Sequence, residues 1–543
     1  MSPPRRSDIT SEYMSLDSFF SQTAREHRSR PALFASDKHW TYGELDDESR
    51  ALESLLRNVI PSSTKQLHIG LIYGRSLFSY AGVIAIMRAG HVYIPLNPKM
   101  PAQKLGRILN DAAINTLIVD TSEPLTPGVK ELLAQSHSLQ LIIERDIHGS
   151  QLESDISRNS HAVWSLPAGV NQILTSGFQN SVASPHKELA YMIYTSGSTG
   201  VPKGVPITHE SACRCIEKAH QLFGTHERDR FTEFSALSFD VSILDLFLCW
   251  KSGGELYVPA SSQALVPLEF VTQNEISVWS SVPSLANFLL KLKLLKTNAL
   301  PHVRLFLFCG EALPVELARA CLASAPRSTV FNLYGPTECT IFATCHRYDN
   351  LSDINGTVPI GTPVPGINYK IVSEGRPVEI DNEPGELWLS GDQLTPGYWN
   401  NLAATQTAFV RFPERDFEQE FWYRTGDLVS QDSKVGLVFR GRVDRQVKLR
   451  GHRIELQEIE TALREVTGCA LVAVVPIKGS GGIIDKIVAY CDHLDEDEIT
   501  VKRLCEKRLP SYMIPDRIYQ LTNFPTNDSG KINYLELAAA ARS

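Results

Sequence analysis

Residues 194–204 read YTSGSTGVPKG, a run of small hydroxyl and glycine residues closed by Lys203. Glycines let a backbone come close to a ligand, and hydroxyls with one ammonium group suit phosphate oxygens, so the stretch has the chemistry of a nucleotide loop. It is not the common P-loop, whose lysine is followed by serine or threonine at a helix start. Here Pro202 precedes Lys203 and Gly204 follows it. Taken alone, the stretch also reads as a flexible glycine/serine linker.

The surrounding elements favour the phosphate reading. HIGLIYG (68–74), SLFSYAGVIAIMRAG (76–90) and HVYIPL (91–96) predict strand, helix, strand, the unit of a parallel sheet. The pattern recurs: AYMIYT (190–195) leads into the quoted loop and THESACRCIEKAHQLF (208–223) follows as a helix. VRLFLFCG (303–310), PVELARACLAS and STVFNLYG (328–335) repeat it. Loops at the carboxyl ends of such strands are where α/β sheets hold ligands. The segment 121–188 is polar and weakly periodic and reads as an elaborated surface region. After about residue 440 the texture changes. QEIETALREV puts Leu456, Ile459, Leu463 and Val466 on one helical face, and CALVAVVPI and KIVAYC read as strands, which predicts a smaller α+β lobe.

The chain of 543 residues is long enough for several lobes, and its formal charge of -8 with mixed signs gives no basic footprint for nucleic acid. No apolar run reaches the roughly 18 residues of a membrane span. The start, MSPPRRSDITSEYMSLDSFF, lacks the apolar core of a secretory signal and reads as that of a mature cytoplasmic protein. Ten scattered cysteines form no disulfide framework and read as small buried hydrophobes, and the histidines have no zinc-site spacing.

Further along, FDVS (239–242), NLYGPTE (332–338), GELWLSG (385–391), YRTGDL (423–428), GRVDRQVKLRGHRIELQEIE (441–460) and SGKIN (529–533) occur in that order. Together with the opening loop, TYGEL (41–45) and RAGHVYIPLNP (88–98), they resemble the adenylate-forming superfamily over nearly the whole chain. The resemblance is greatest to the amino-acid adenylation domains of non-ribosomal peptide synthetases. It implies an α/β fold with a large N-terminal lobe of parallel and mixed sheets flanked by helices (1–441), a hinge at 442–444, and a small mobile α+β lobe (445–543).

The chemistry implied is attack of a carboxylate on the α-phosphorus of ATP with loss of pyrophosphate, then transfer of the acyl group to the phosphopantetheine thiol of a carrier protein. By resemblance, Thr195, Ser196, Gly197, Ser198, Thr199, Gly200 and Lys203 wrap the β- and γ-phosphates. Glu338 would bind Mg²⁺, a hard cation suited to a carboxylate, and Thr337 would touch the α-phosphate. Tyr334 would stack on adenine with Asn332 and Gly310 near the base edge; Asp427 would accept from the ribose hydroxyls, with Arg442 beside it. Lys531 would lie between the substrate carboxylate and the α-phosphate, a compact charge that reduces their repulsion. Asp444 would be the hinge, after whose rotation Gly451 and Lys448 meet the thiol arm. On residue type alone, Glu338 also reads as a solvated loop acid, Tyr334 as a core aromatic, Asp427 and Arg442 as surface ion-pair partners, and Lys531 as a solvated lysine.

Asp240 matches the position that meets an α-ammonium group in amino-acid adenylation domains; its other reading is a helix N-cap. The same resemblance gives a substrate pocket of Asp240, Val241, Leu244, Ser280, Leu307, Cys309, Leu333, Ile341 and Phe342, with Lys531 at the carboxylate. No second charge stands on this wall, which implies cysteine or a small-to-medium apolar amino acid. Gln457 stands where glycine is common, and NDSGKIN departs from the usual wording around the lysine. No carrier-protein serine motif, condensation motif or thioesterase elbow follows, so a separate carrier or a larger synthetase is expected to supply the acceptor. Two other readings are an acyl- or aryl-CoA ligase of the same fold and a catalytically silent nucleotide- or amino-acid-binding protein.

Overall fold

A computed structural model describes residues 14–60, 65–136, 138–146, 162–167, 188–197, 202–349, 356–378, 380–411, 421–479, 482–526 and 532–541. The predicted strand–helix–strand unit is present as His68–Ile72, Leu77–Arg88 and Val92–Leu96, with the two strands paired in parallel. All five residues of Val92–Leu96 are buried, and so are all but one of the helix that precedes it. A helix apolar on every side belongs inside a protein, here between layers.

This unit sits in a seven-stranded sheet in the order Ala162–Pro167, Leu141–Asp146, Thr116–Val119, His68–Ile72, Val92–Leu96, Leu189–Thr195, Lys203–Thr208. Every pairing is parallel except the last, which is antiparallel. Two expectations change here. A strand, Lys203–Thr208, stands between the phosphate-type loop and the helix His209–Phe223, so Lys203 begins a strand that folds back on Leu189–Thr195. Within 121–188, helix Pro127–Gln135 and strands Leu141–Asp146 and Ala162–Pro167 extend the core sheet instead of decorating the surface. Thr126 caps that helix, with Pro127 at its first position, a start signal that weak periodicity conceals.

A nine-stranded sheet carries Leu305–Cys309 and Thr329–Tyr334 side by side, parallel in its centre and antiparallel at both ends. Between 367 and 442 lies a six-stranded antiparallel sheet whose long strand Phe421–Asp432 pairs with Gly436–Arg442. The α/β class expected from the sequence, large sheets flanked by helices, is the one observed.

From Val447 onward the chain builds its own core. Leu456, Ile459 and Leu463 of helix Leu456–Thr467 pack with Val472, Val474, Ile487 and Ala489, and Leu537 packs on the opposite face of the same three-stranded sheet. Lys448, Arg450, Gly451 and Arg453 belong to the hairpin Gln446–Leu449/His452–Glu455. Its two-residue turn has positive φ at both Arg450 (51°) and Gly451 (80°), the tight geometry that matches strand twist. No helix among the described residues is long and apolar enough to cross a membrane. All ten cysteines are free, and only Cys345 is not fully buried.

Candidate active site

A cavity of about 760 Å³ lies between the large lobe and the small one. Thr195, Ser196, Asp240, Val241, Cys309, Gly310, Thr337, Ile341, Asp427 and Arg442 line it from the large lobe, and Lys448, Gly451, His452 and Arg453 from the small lobe. Residues from at least six separate stretches of sequence therefore face one space. Ser198, Thr199, Gly200 and Lys531 lie outside the described residues.

The strands place these groups at their carboxyl ends. Gly310 follows Leu305–Cys309, and Gly335 to Glu338 follow Thr329–Tyr334. Gly335 must be glycine, because a Cβ there would lie 2.5 Å from the Cα of Phe342. The opposing turn is strained: Ile341 has φ 70°, a left-handed conformation that a β-branched residue rarely adopts. Gln393 holds it, its side-chain amide donating to the carbonyls of Thr340 and Phe342 at 3.2 and 2.9 Å.

Asp240 is the first residue of helix Asp240–Ser252, one place after the N-cap Phe239. Burial pushes its carboxyl up to about 6, against the opposing influence of the hydrogen-bonded Thr337 hydroxyl and the Lys448 ammonium. Val241, Cys309 and Ile341 form the cavity wall beside it. Leu244, Ser280, Leu307, Leu333 and Phe342 stand behind that wall, each no more than 2% exposed.

Asp427 joins two of the expected nucleotide residues: its carboxylate accepts from the Tyr334 hydroxyl at 2.6 Å and from Arg442. Tyr334 is itself buried, with the Lys448 ammonium 5.9 Å from its ring centre. The Asn332 side chain turns away from the cavity and donates to the carbonyls of Val358 and Pro359, joining strand to loop. Arg442 forks onto Asp444, Nε and Nη2 donating to its two oxygens at 2.6 and 2.8 Å. Burial would raise the Asp444 carboxyl, but Arg442 holds it below the usual range.

Glu338 is fully buried. Its carboxylate accepts from the Tyr398 hydroxyl at 2.7 Å and from Arg453 Nη1 at 3.0 and 2.9 Å. Burial alone would raise it; Arg453 and Tyr398 bring it below the ordinary carboxyl value. The Lys203 ammonium lies 5.2 Å from the Tyr398 ring centre, and Lys203 lines a second cavity of about 480 Å³ with Arg442, Asp444 and Arg453. Gly197 is buried beside Ser196, whose hydroxyl donates to the Arg453 carbonyl at 2.6 Å.

Three contributors were not singled out from the sequence. Glu311 accepts from the Ser284 and Gly451 amides at 2.9 and 2.8 Å, so a large-lobe carboxylate holds the tip of the small-lobe hairpin. A Cβ on Gly451 would lie 2.6 Å from Val282, which makes that tip a close fit. His452 stacks on Tyr512 (3.5 Å, 13°) and meets the edge of Phe239 (4.9 Å, 71°); burial pushes its imidazole down to about 4. Arg453 pairs across 115 positions of sequence. Only its place in the hairpin motif hinted at such a role.

The fold and the cavity define a two-lobed enzyme of the adenylate-forming type. The family model described as AMP-binding enzyme matches residues 20–399. The chain belongs to the AMP-binding enzyme family and is a ligase of that fold. It is 32% identical over 534 residues to the L-proline--[L-prolyl-carrier protein] ligase of Streptomyces coelicolor, covering 96% of this chain and 95% of that protein. It is 28% identical over 526 residues to the D-alanine--D-alanyl carrier protein ligase of Bacillus cereus, covering 95% and 97%. Among solved structures, the Vibrio cholerae adenylation domain AlmE in complex with glycyl-adenosine-5'-phosphate matches with a TM-score of 0.86 at 29% identity and covers 100% of both chains.

Proposed function

We propose that the protein activates a small amino acid as its adenylate and passes the aminoacyl group to the phosphopantetheine thiol of a carrier protein, in non-ribosomal peptide or related secondary-metabolite synthesis. The observation that carries this reading is the convergence of Asp240, Thr337, Asp427 and the hairpin 448–453 on one cavity. Carrier-protein ligases among the similar proteins support it.

In the first half-reaction a carboxylate oxygen of the amino acid bonds to the α-phosphorus of ATP, and the bond to the bridging oxygen breaks as pyrophosphate leaves. Asp240 meets the ammonium group, Asp427 and Arg442 the ribose, and Thr195, Ser196 and Lys203 the phosphates. Lys531 supplies the charge between the two anions. Glu338 is a buried carboxylate that needs a cation; Arg453 meets that need in the present lobe arrangement, and Mg²⁺ fits the same requirement when the small lobe is elsewhere. Bound there, Mg²⁺ would neutralise phosphate charge.

In the second half-reaction the thiol sulfur bonds to the acyl carbon, the bond to the AMP oxygen breaks, and the thiol proton is lost to solvent. The hairpin 448–453 lines the cavity. This arrangement suits the thiol-transfer step; adenylation, for which Lys531 is the proposed acting residue, would follow a turn of the small lobe about 442–444. The cavity continues past Leu265, Leu285 and Phe288, an apolar path of the kind a pantetheine arm would follow.

Of the range from cysteine to medium apolar amino acids, the small end has the better support. Val241, Cys309 and Ile341 leave the bulkier residues behind the wall, and an ammonium-binding acid disfavours the CoA-ligase reading, whose acids carry no amine. The test is pyrophosphate exchange with glycine, D- and L-alanine, serine, cysteine, valine and amine-free acids, followed by loading of a phosphopantetheinylated carrier. Exchange confined to amine-free acids would replace this reading with the CoA ligase, and no adenylate with any substrate would leave a binding protein.

A further inference from the structure

The small lobe is joined to the large one outside the cavity by Lys104, on helix Ala102–Asp111, and Glu458, in the first turn of helix Leu456–Thr467. The Lys104 ammonium donates to Glu458 Oε1 at 2.8 Å across 354 positions of sequence, and both side chains are more than nine-tenths buried. The other Glu458 oxygen, Oε2, is buried without a hydrogen-bond partner among the described residues. The ion pair Lys291–Asp485 also joins the lobes, but its side chains are 40% and 34% exposed, so it is screened and weak. Neither Lys104 nor Glu458 lines the cavity.

A buried carboxylate that loses its partner is strongly unfavourable, whereas the same group in water costs nothing. With Lys104 in place, Glu458 can stay buried; without it, the lobe gains by turning away and wetting Glu458. We propose that Lys104 and Glu458 are the positioning residues that hold the lobe in the arrangement where its hairpin faces the cavity, and that they set the rate of one half-reaction only. The catalytic consequence rests on the function proposed above.

Lys104→Met should leave pyrophosphate exchange within about twofold of the parent, which also reports an intact large lobe, and should slow carrier loading from preformed adenylate by about tenfold or more. Lys104→Glu combined with Glu458→Lys should recover most of the loading rate. Spin labels on the exposed positions Leu402 and Ile499 give a readout independent of activity. Their distance distribution should show the present arrangement depleted in Lys104→Met and restored in the exchanged pair. An unchanged distribution in Lys104→Met, a parallel fall of both half-reactions, or no recovery in the exchanged pair would overturn the proposal. Absence of adenylate in the parent would instead sink the proposed function and leave the distance measurement standing.

Discussion

Arg453 Nη1 lies 3.0 and 2.9 Å from the two carboxylate oxygens of Glu338, so a small-lobe guanidinium neutralises a fully buried large-lobe acid. The same carboxylate is the proposed Mg²⁺ site, and one acid then serves both lobe arrangements with different cations. Replacing Arg453 by glutamine should penalise the present arrangement by about 3 kcal/mol, roughly a hundredfold in thiol transfer, because it leaves a buried charge unpaired. Adenylate formation should persist. Single-turnover rates for the two half-reactions check this, and equal losses in both would refute the switch of cations.

Lys531→Ala should retain ATP binding and lose adenylate formation by roughly two orders of magnitude, a typical effect of removing one group that stabilises developing charge. Asp444→Pro should do the opposite, impairing thiol transfer far more than adenylation by stiffening the proposed hinge and releasing Arg442. Measured side by side, the two variants should separate the half-reactions. A Lys531→Ala enzyme with normal exchange would remove the lysine from the mechanism.

Asp240 gives a pH dependence with a definite sign. Its folded-state value is raised to about 6, so the carboxyl takes up a proton as pH falls through that value. The ammonium group needs the carboxylate. Apparent KM for the amino acid should therefore be flat above about pH 6 and rise up to tenfold per unit below it. Asp240→Asn should bind weakly with no such inflection; an unchanged profile in that variant would assign the titration elsewhere.

Ile341→Gly should relieve the positive φ and open the wall beside Asp240. Exchange with valine or leucine should rise by about tenfold or more, since one or two methylenes in such a pocket are worth a factor of this size. Glycine and alanine should lose only modestly. If the larger side chains stay excluded, the wall lies elsewhere.

Much of this was legible because it is local. The apolar periods of 68–96 and 305–334, the helix face of Leu456, Ile459 and Leu463, and the glycine/hydroxyl loop before Lys203 each declare themselves within a dozen or so residues. The strand Lys203–Thr208 did not: it carries glycine and proline, and it is a strand because Leu189–Thr195 offers it an antiparallel edge. The part of 121–188 that builds the sheet was hidden for a similar reason, since Leu141–Asp146 and Ala162–Pro167 are paired from outside their own sequences.

What the sequence determined by itself is the inventory: which segments bury an apolar face, which loops suit a phosphate, and which acids and cations are available. Tertiary structure decided who meets whom. That Arg453 rather than water stands at Glu338, that Glu311 holds the tip at Gly451, and that Leu244 and Phe342 back the wall instead of forming it depend on how two independently packed lobes come to rest against each other. Burial and charge pairing are properties of surroundings, and residues more than a hundred positions apart acquire common surroundings only when the chain has folded.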